Sequence, residues 1–427
     1  MKLNFREKGI PKWVKHRLGV LFLIFIGALV FFQIVLNRGE EEKKVTMADA
    51  TLPLVGVKTY DHTMGELHGY RTEMDACYMR DALIPLDSKR KMDLTIDTYG
   101  YDIDRVSYEV RSLDTQRKIA DTKINDWSKD GNTWTKSLQI ENLVDEGEEY
   151  LFILKLHCGS GNLYYYTRIT LPEETYAKKC LEFTDQFHDV SMSDQYETLA
   201  SYLEPSEYTD KNDLGSVGID SSIDQVGWRG FNGTQVGKPL VSFTDINDTY
   251  ASLVYTYQME EQNDGVSTYY NVEEYYKVRY TDLQIYLLDY KRTMEQIVDV
   301  AAVGVSGNKL GVGITNGDIE YLSNETGTIV SFVQAGELFT YNQNKQTFTK
   351  VFGFVDDPTD VRQNYGQHNI RILNIDETGN MDFADAEQTI YKAITDMHMD
   401  EVDYFMKEYI PAYMLTLDES GDEYSDN

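Results

Sequence analysis

The stretch YYNVEEYYKVRYTDLQIYLLDY, residues 269–290, decides the fold class that the sequence predicts. In residues 269–280 most apolar and aromatic side chains fall at alternate positions, which is the period of a strand with one buried face. Thr281 and Asp282 then mark a turn into a second strand-like run, Leu283–Tyr290. The sequence therefore predicts a hairpin of long antiparallel strands here and a mainly β protein overall. The predicted buried face carries Tyr270, Val272, Tyr276, Val278 and Tyr280, and the opposite face carries Asn271, Glu273, Lys277 and Arg279.

Two features downstream of this hairpin recur at nearly one period. Residues 285–298 match residues 338–351 at an offset of 53, and the tripeptide ETG at 325–327 recurs at 377–379, an offset of 52. A period of about 50 residues is typical of the four-stranded blades of a β-propeller. The segment LSNETGTIVSF, residues 322–332, resembles the blades of TolB and WD40-like propellers, with Asn-Glu-Thr where those blades carry Pro-Asp. We therefore predict a partial, propeller-like antiparallel β region over residues 206–383.

A second group of strand signals lies upstream, in residues 71–171. Short alternating runs are separated by turns about every ten residues, a spacing typical of a β-sandwich. The segment LVDEGEEY, residues 143–150, resembles the tyrosine corner of fibronectin type III and immunoglobulin-like domains, with one residue more than usual before Tyr150. In that family the tyrosine hydroxyl bonds back to the backbone near the corner. The resemblance implies a packing role for Tyr150, in a sandwich that serves as a spacer or a binding surface.

Helices are predicted between the two β regions and after the second one. In the helical linker, residues 172–205, one apolar stripe repeats every three to four residues, and a second short helix begins near Asp194 and ends at Pro205. A C-terminal helix is predicted over residues 384–416, followed by an acidic tail, 417–427. Because about two blades cannot close a ring, this last helix is expected to cover the final sheet. The alternatives are that the chain is a shortened member of a longer family or that a partner completes the ring. The linker stripe comprises Tyr176, Cys180, Phe183 or Thr184, and Phe187, and the C-terminal helix should bury Ile390, Ile394 and Met397.

One uncharged apolar run near the start, Leu18–Leu36, predicts a transmembrane helix. At about 1.5 Å per residue its nineteen residues cover roughly the thickness of a bilayer's hydrocarbon core. Six basic residues and one acid precede it, which predicts a cytoplasmic tail, residues 1–17, and an extracytoplasmic remainder that begins with a stalk, 37–70. A cleaved signal peptide and a buried core helix are the alternatives. The sequence thus predicts a single-pass protein of the plasma membrane that contacts the lipid bilayer through Leu18–Leu36.

The charge distribution restricts the partners of the extracytoplasmic part. Residues 1–38 contain seven Lys or Arg and one acid, a net charge of +6, so residues 39–427 carry −37 of the total of −31. A chain this acidic repels nucleic acid and anionic lipid surfaces. We therefore expect a protein or envelope partner and no nucleic acid.

No residue pattern predicts a catalytic, cofactor-binding or metal-binding site. The glycine-containing segment 233–238 is one residue short of a phosphate-binding loop, residues 311–313 lack the third glycine of a dinucleotide site, and Ser306 does not stand in a nucleophile elbow. The acids of residues 376–382 are explained by a hairpin turn without Ca²⁺. The weak alternative is a metal bound by His62 and His68 with Asp61 and Glu66, which no helix aligns.

The cysteine count gives no disulfide framework. Cys77, Cys158 and Cys180 lie in different segments without a CxxC pair, so at most one disulfide forms and one thiol is left over. Cys180 falls on the apolar stripe of the predicted linker helix. It is therefore expected to be a buried structural thiol, not a nucleophile.

Residues 172–383 also resemble an uncharacterised family of single-pass, membrane-anchored extracytoplasmic proteins of Gram-positive, clostridial type. The resemblance is carried by VEEYYKVRYTDLQIYLLDYKRTMEQI at 272–297, SNETGTIVSFVQAGELFTYNQN at 323–344 and NYGQHNIRILNIDETGNMDF at 364–383. It implies placement in the cell envelope and no particular activity. The leading hypothesis is a non-enzymatic extracytoplasmic binding protein. A regulatory or sensory subunit of a membrane complex and an envelope hydrolase are the alternatives.

Overall fold

A computed structural model describes most of the chain from Leu52 to Glu387. The described residues are Arg17, 52–74, 82–115, 117–140, 144–159, 161–206, 213–263, 265–300, 303–306, 309–315, 319–353 and 368–387. The predicted transmembrane helix 18–36, the acidic tail 417–427, Cys77 and the apolar residues of the predicted C-terminal helix lie outside them. Among the described residues, no helix combines the length and apolar character needed to cross a bilayer.

The first ten strands form two groups that share one hydrophobic core. The order β2-β1-β4-β8-β7 gives an antiparallel sheet, while β3, β10, β9, β5 and β6 lie side by side in a second sheet. Val57 and Leu94 of the first sheet belong to the same buried cluster as Tyr108 and Phe152 of the second. The strands are β1 (Leu54–Thr59), β2 (His62–Leu67), β3 (Leu83–Pro85), β4 (Lys91–Asp97), β5 (Arg105–Ser112), β6 (Lys118–Ile124), β7 (Ser128–Asp130), β8 (Thr133–Gln139), β9 (Glu149–Cys158) and β10 (Gly161–Thr170).

Two details of this region bear on the sequence predictions. The prediction of a stalk over residues 37–70 is wrong where β1 and β2 lie, because the apolar side chains of Val55 and Met64 are fully buried in the core and β1 pairs with β4.

The Tyr150 hydroxyl accepts a hydrogen bond from the Asp145 backbone N–H at 3.3 Å. This is the backbone contact that the tyrosine-corner resemblance predicts.

The predicted linker is part of the core. Helix α1 (Glu174–Ser191) is capped by the Glu173 carboxylate, which accepts from the Thr175 and Tyr176 N–H groups. Its stripe of buried side chains is confirmed, with Cys180 fully buried, and the helix packs on the strands that follow it in the chain. The predicted second helix is a short 3₁₀ helix, Tyr196–Tyr202, and a further short helix, α2 (Ile223–Val226), lies within the region 206–383 predicted to be β structure.

A single ten-stranded sheet crosses the predicted boundary between the sandwich and the propeller-like region. Its order is β11-β15-β14-β13-β12-β3-β10-β9-β5-β6, where β11 is Ser216–Gly218, β12 Thr234–Ile246, β13 Ala251–Asn263, β14 Val266–Tyr280 and β15 Ile285–Gln296. The short strand β3 joins the two halves, pairing Leu83 with Phe243 of β12 and with Arg168 of β10. Arg168 also reaches across to donate to the Thr244 carbonyl oxygen at 2.8 Å. The division into domains 71–171 and 206–383 is therefore wrong as a division between sheets.

The last described strands form a four-stranded sheet and two hairpins. β18 (Tyr321–Ser323), β19 (Ile329–Gln334), β20 (Glu337–Asn342) and β21 (Thr347–Phe352) pair in chain order. β16 (Gly304–Ser306) pairs with β17 (Lys309–Gly311), and β22 (His368–Ile375) pairs with β23 (Met381–Glu387). Because β23 continues to Glu387, the first residues of the predicted C-terminal helix, 384–387, are strand.

One of the two sequence repeats corresponds to a structural repeat. The Gly327 N–H bonds to the Asn324 carbonyl oxygen, and the Gly379 N–H to that of Asp376, in two tight turns where both glycines have positive φ, 68° and 98°. The other repeat is wrong, since residues 285–296 form one continuous strand, β15, whereas residues 338–351 span two strands, β20 and β21. β15 pairs with β14 from Ile285 to Gln296, with one register shift opposite Lys277 and Val278.

Candidate functional site

His62, one of the residues that the sequence offered as a weak metal site, has other partners. His62 at the start of β2 faces the Tyr60 carbonyl oxygen with Nδ1, at 2.8 Å, and the Asp185 carboxylate with Nε2, at 2.9 Å. Glu66 lies on the same strand, and burial raises its pKa. Within the described ranges no three His, Cys, Asp or Glu side chains gather as metal ligands. His62 therefore serves as a contact between the first sheet and α1.

The other residues considered in the sequence are also structural. The Asp376 carboxylate accepts four hydrogen bonds from Thr378, Gly379 and Asn380 at its Oδ1 atom, which explains this acid by the turn itself. Residues 234–238 are part of strand β12, not of a loop. Burial raises the pKa of the Cys180 thiol to about 12, so it stays protonated and unreactive at neutral pH.

The densest group of buried charges lies where α1 packs on β13, β14 and β15. His188, in the last turn of α1, and Glu274, in the middle of β14, are 3% and 0% exposed. The His188 Nδ1 atom is 2.7 Å from Glu274 Oε2. We call the group formed by His188, Glu274, Tyr276, Tyr290 and Arg292 the buried network.

Hydrogen bonding fixes the charge of His188. Its second ring nitrogen, Nε2, lies 2.9 Å from Gln235 Oε1, and the amide of Gln235 is oriented by its Nε2 group, which donates to the Gly237 carbonyl oxygen. Both ring nitrogens thus face acceptors, so both carry a proton. Desolvation, the largest single influence, opposes the imidazolium. The hydrogen bond and the charge of Glu274, with the bond to Gln235 and the charge of Asp189, together outweigh it and raise the pKa of His188.

Glu274 is the anion that balances this charge. Desolvation disfavours its carboxylate, but the hydrogen bond from His188 and the charges of His188 and Arg292 lower the pKa of Glu274 below its usual value. Tyr276 and Tyr290 donate their hydroxyl groups to it, at 2.7 and 3.3 Å. Three hydrogen-bond donors therefore replace the water that this carboxylate loses on burial.

Arg292 completes the buried network from β15. Its guanidinium group is fully buried, donates to the carbonyl oxygens of Gln225 and Val226 at 2.7 and 2.9 Å, and stacks 3.5 Å from the ring centre of Trp228. The carbonyl groups belong to the last turn of α2, where the helix dipole favours a cation. Arg292 therefore ties α2 to the sheet.

A second chain of contacts runs along the same helix. The Tyr255 hydroxyl bonds to Thr184 Oγ1 and donates to Asp185 Oδ1, at 2.9 and 2.7 Å, and Asp185 also holds His62. Two histidines thus dock α1, one from the helix into the sheet and one from the β1–β2 hairpin onto the helix. The side chains of His62 and Asp185 are about one third exposed, whereas His188 and Glu274 are buried. Both pairs join α1 to the β structure around it.

Sequence analysis missed the buried network, although two signals pointed to it. Glu274 falls at an even position among the predicted buried residues of β14, and His188 continues the stripe of α1 four residues after Thr184. The alternation of residues 269–280 identifies the buried apolar side chains, and it gives Glu274 no partner. Buried charges occur when partners at atomic distance compensate their desolvation, and a sequence alone does not show those partners.

Two features of the surface are more accessible. An open cleft of about 620 Å³ lies beside β11 and β15, and its charged lining comprises Asp213, Asp220, Asp289 and Lys291. Opposite α1, the side chains of β13, β14 and β15 that alternate with the buried ones form what we call the outer face. Its members include Val254, Thr256, Tyr269, Tyr275, Tyr286 and Leu288, and Leu283 in the β14–β15 turn is 95% exposed beside it.

Comparison with known proteins adds no identity. No family model matches the chain, and no curated protein matches it. The fold and the site therefore have to be interpreted from their own geometry.

Proposed function

We propose that this chain is a single-pass, membrane-anchored protein whose extracytoplasmic part binds another protein or an envelope component, and that it is not an enzyme. The anchor is the apolar run Leu18–Leu36, and its basic flank orients the β-rich part outward. In this proposal the sandwich-like pair of sheets and the four-stranded, blade-like sheet are a scaffold for a binding surface.

The observation that carries the proposal is the outer face. Tyr269 and Tyr286 are 40% and 42% exposed, on strands whose opposite side is packed against α1. Partly exposed tyrosines on a rigid sheet are typical of protein interfaces, because they bury a large area at a small cost in conformational entropy. The buried network on the other side of the same strands holds this surface in one shape.

Photo-crosslinking in intact membranes tests the proposal. We would replace Tyr269 or Tyr286 of the full chain with a photoreactive phenylalanine analogue, and Tyr99, an exposed tyrosine of the sandwich-like part, as the control. The expected result is one partner crosslinked from both outer-face positions and absent from the control. Equal products from all three positions, or none from the outer face, would contradict the proposal.

A further inference from the structure

The two edges of the ten-stranded sheet are built differently. At one end, β6 exposes Lys118, Asp121 and Lys123 at its edge. Charged side chains on an edge strand discourage pairing with other chains. At the other end lies β15, with the short strand β11 beside part of it. One edge of the sheet therefore ends on a charged strand, and the other ends on a strand that β11 pairs with only in part.

β11 covers only a small part of β15. It pairs with residues 291–293, from Gly218 opposite Lys291 to Ser216 opposite Thr293. In the part of the chain that the structure describes, no strand pairs with residues 285–290 on this side. Their sequence, IYLLDY, has strong β propensity and a single charge, which is the composition of strands that recruit a partner strand. Within this stretch the Tyr290 N–H donates to Asp289 Oδ1 at 2.9 Å, and the pairing of β15 with β14 shifts register between Leu287 and Asp289. In the described residues, the rest of this edge continues from β11 with no strand beside it.

This edge already accepts an extended segment. β11 lies antiparallel on it, and the Met294 N–H donates to the Gly215 carbonyl oxygen at 3.0 Å just before β11 begins. After Gly218 the chain turns away, through the bond from the Ser221 N–H to the Gly218 carbonyl oxygen. The open cleft lies at this turn. It gives a second extended segment room to begin where β11 ends.

The negative charge of the cleft indicates which kind of segment can bind there. Asp213, Asp220 and Asp289 line it against one cation, Lys291. A second copy of this chain would bring the same carboxylates and a strongly negative net charge to the contact, so self-pairing is disfavoured. A segment with basic side chains is attracted by the same charges.

We infer that an extended, basic segment of a partner protein adds to the sheet as a strand along residues 285–290, in line with β11. This inference rests on the proposed binding function and names the partner's chemistry. Backbone hydrogen bonds to β15 give affinity, as in other cases of β-strand addition, and alternate side chains give specificity. The partner's basic residues lie against Asp220 and Asp289, and its apolar ones against Leu288.

A model peptide tests the inference on the full chain in detergent micelles. The probe is a fluorescently labelled peptide of alternating lysine and valine, seven residues long, with binding followed by fluorescence anisotropy. Two further probes are the same peptide with its valine amides N-methylated, which keeps the charge and removes donors, and a version with glutamate for lysine. The variants are Leu288→Lys, at the edge, and Val266→Lys, a matched control on an exposed hairpin tip.

The lysine peptide is expected to bind the unsubstituted chain and Val266→Lys equally, and to bind Leu288→Lys about tenfold more weakly or worse. N-methylation and the exchange of lysine for glutamate should each abolish binding. Equal binding of the N-methylated peptide would reduce the contact to electrostatics and overturn strand addition. Equal binding of the glutamate peptide would overturn the basic partner.

Two other outcomes also overturn the inference. One is the absence of binding by any peptide. The other is a dimer in analytical ultracentrifugation that Leu288→Lys dissociates, which would make a second copy the occupant. Neither outcome decides the proposed function, because crosslinking from Tyr269, away from the edge, reports on a partner independently.

Discussion

At the scale of single residues, the most consequential side chain is Glu274, a carboxylate with no exposed surface in the middle of a strand. Hydrogen bonds from His188, Tyr276 and Tyr290 compensate the desolvation of this carboxylate. Such a group contributes little net stability when its partners are present and is strongly destabilising when one partner is removed. Its neighbour Glu273 points to the opposite, exposed side of β14.

The substitution Glu274→Gln is therefore expected to lower the free energy of unfolding by about 3–5 kcal/mol, because it leaves the imidazolium of His188 buried without its anion. Chemical denaturation of the full chain measures this loss. Glu273→Gln, the same change one residue away on the exposed face, should change stability by less than about 0.5 kcal/mol. Equal effects of the two substitutions would show that the buried ion pair is not a stabilising contact.

The two docking histidines predict a dependence of stability on pH. The hydrogen bond to Asp185 raises the pKa of His62 above 6.5, and His188 is raised by Glu274. A group whose pKa is higher in the folded than in the unfolded state stabilises the fold fully at pH values below its unfolded pKa. That contribution is lost as the pH rises through its folded pKa. Stability should therefore fall as the pH is raised from 6.5 through the folded pKa values.

Unfolding midpoints measured between pH 5.5 and 9 test this expectation. His62→Gln removes one of the two contributions, so the difference in stability between the unsubstituted chain and this variant should shrink as the pH rises. A difference that is constant over the whole range would exclude the protonated His62–Asp185 contact.

At the scale of elements, two tight turns hold the four-stranded sheet and the β22–β23 hairpin together. Glu377, in the second turn, accepts from the Thr326 N–H at 3.0 Å, from Thr326 Oγ1 at 2.7 Å and from Asn324 Nδ2 at 3.0 Å, all in the first turn. Its counterpart in the first turn, Glu325, is exposed. The repeat of 52 residues thus corresponds to two turns joined by one carboxylate.

Replacing this carboxylate separates the turns. Glu377→Ala is expected to cost about 1 kcal/mol, since Thr326 is exposed to water and the Asn324 amide keeps its bonds to the hydroxyl groups of Thr326 and Thr328. It is also expected to speed hydrogen exchange of the Thr326 amide. Glu325→Ala removes the equivalent glutamate and should leave that exchange rate unchanged. If both variants exchange alike, the contact between the turns is not formed in solution.

The same elements show how far the sequence predicts the fold. The period of residues 269–280 and the stripe of α1 specify which side chains are buried, because each pattern is local and repeats along the element. Sheet order is not local, since the strand pairing between β12 and β3 consists of one residue pair, Phe243 and Leu83, which lie far apart in the sequence. For the same reason the surface cleft could not be predicted, as Asp213, Asp220 and Asp289 come together only when β11 lies beside β15.

At the scale of the whole molecule, the prediction to test first is the orientation in the membrane. Cysteines placed at Val45 and Phe5 would be treated, in wall-stripped cells, with a thiol reagent that does not cross membranes. Because six basic residues precede Leu18, position 45 should react and position 5 should not. The unsubstituted chain supplies the baseline for the native cysteines. The reverse pattern would place the β-rich part inside the cell and remove the basis of the proposed function.

The central position of β3 has a consequence for how the chain matures. Synthesis begins at the N-terminus, so β3 and its neighbour β10 are completed long before Phe243, the residue that pairs with the other side of β3. During that interval Leu83, Ile84 and Arg168 lie at an open edge, and contacts between segments so distant in the chain form slowly. The nascent protein therefore passes through a stage in which its later interior is accessible to chaperones and proteases, and the arrival of β12 ends that stage.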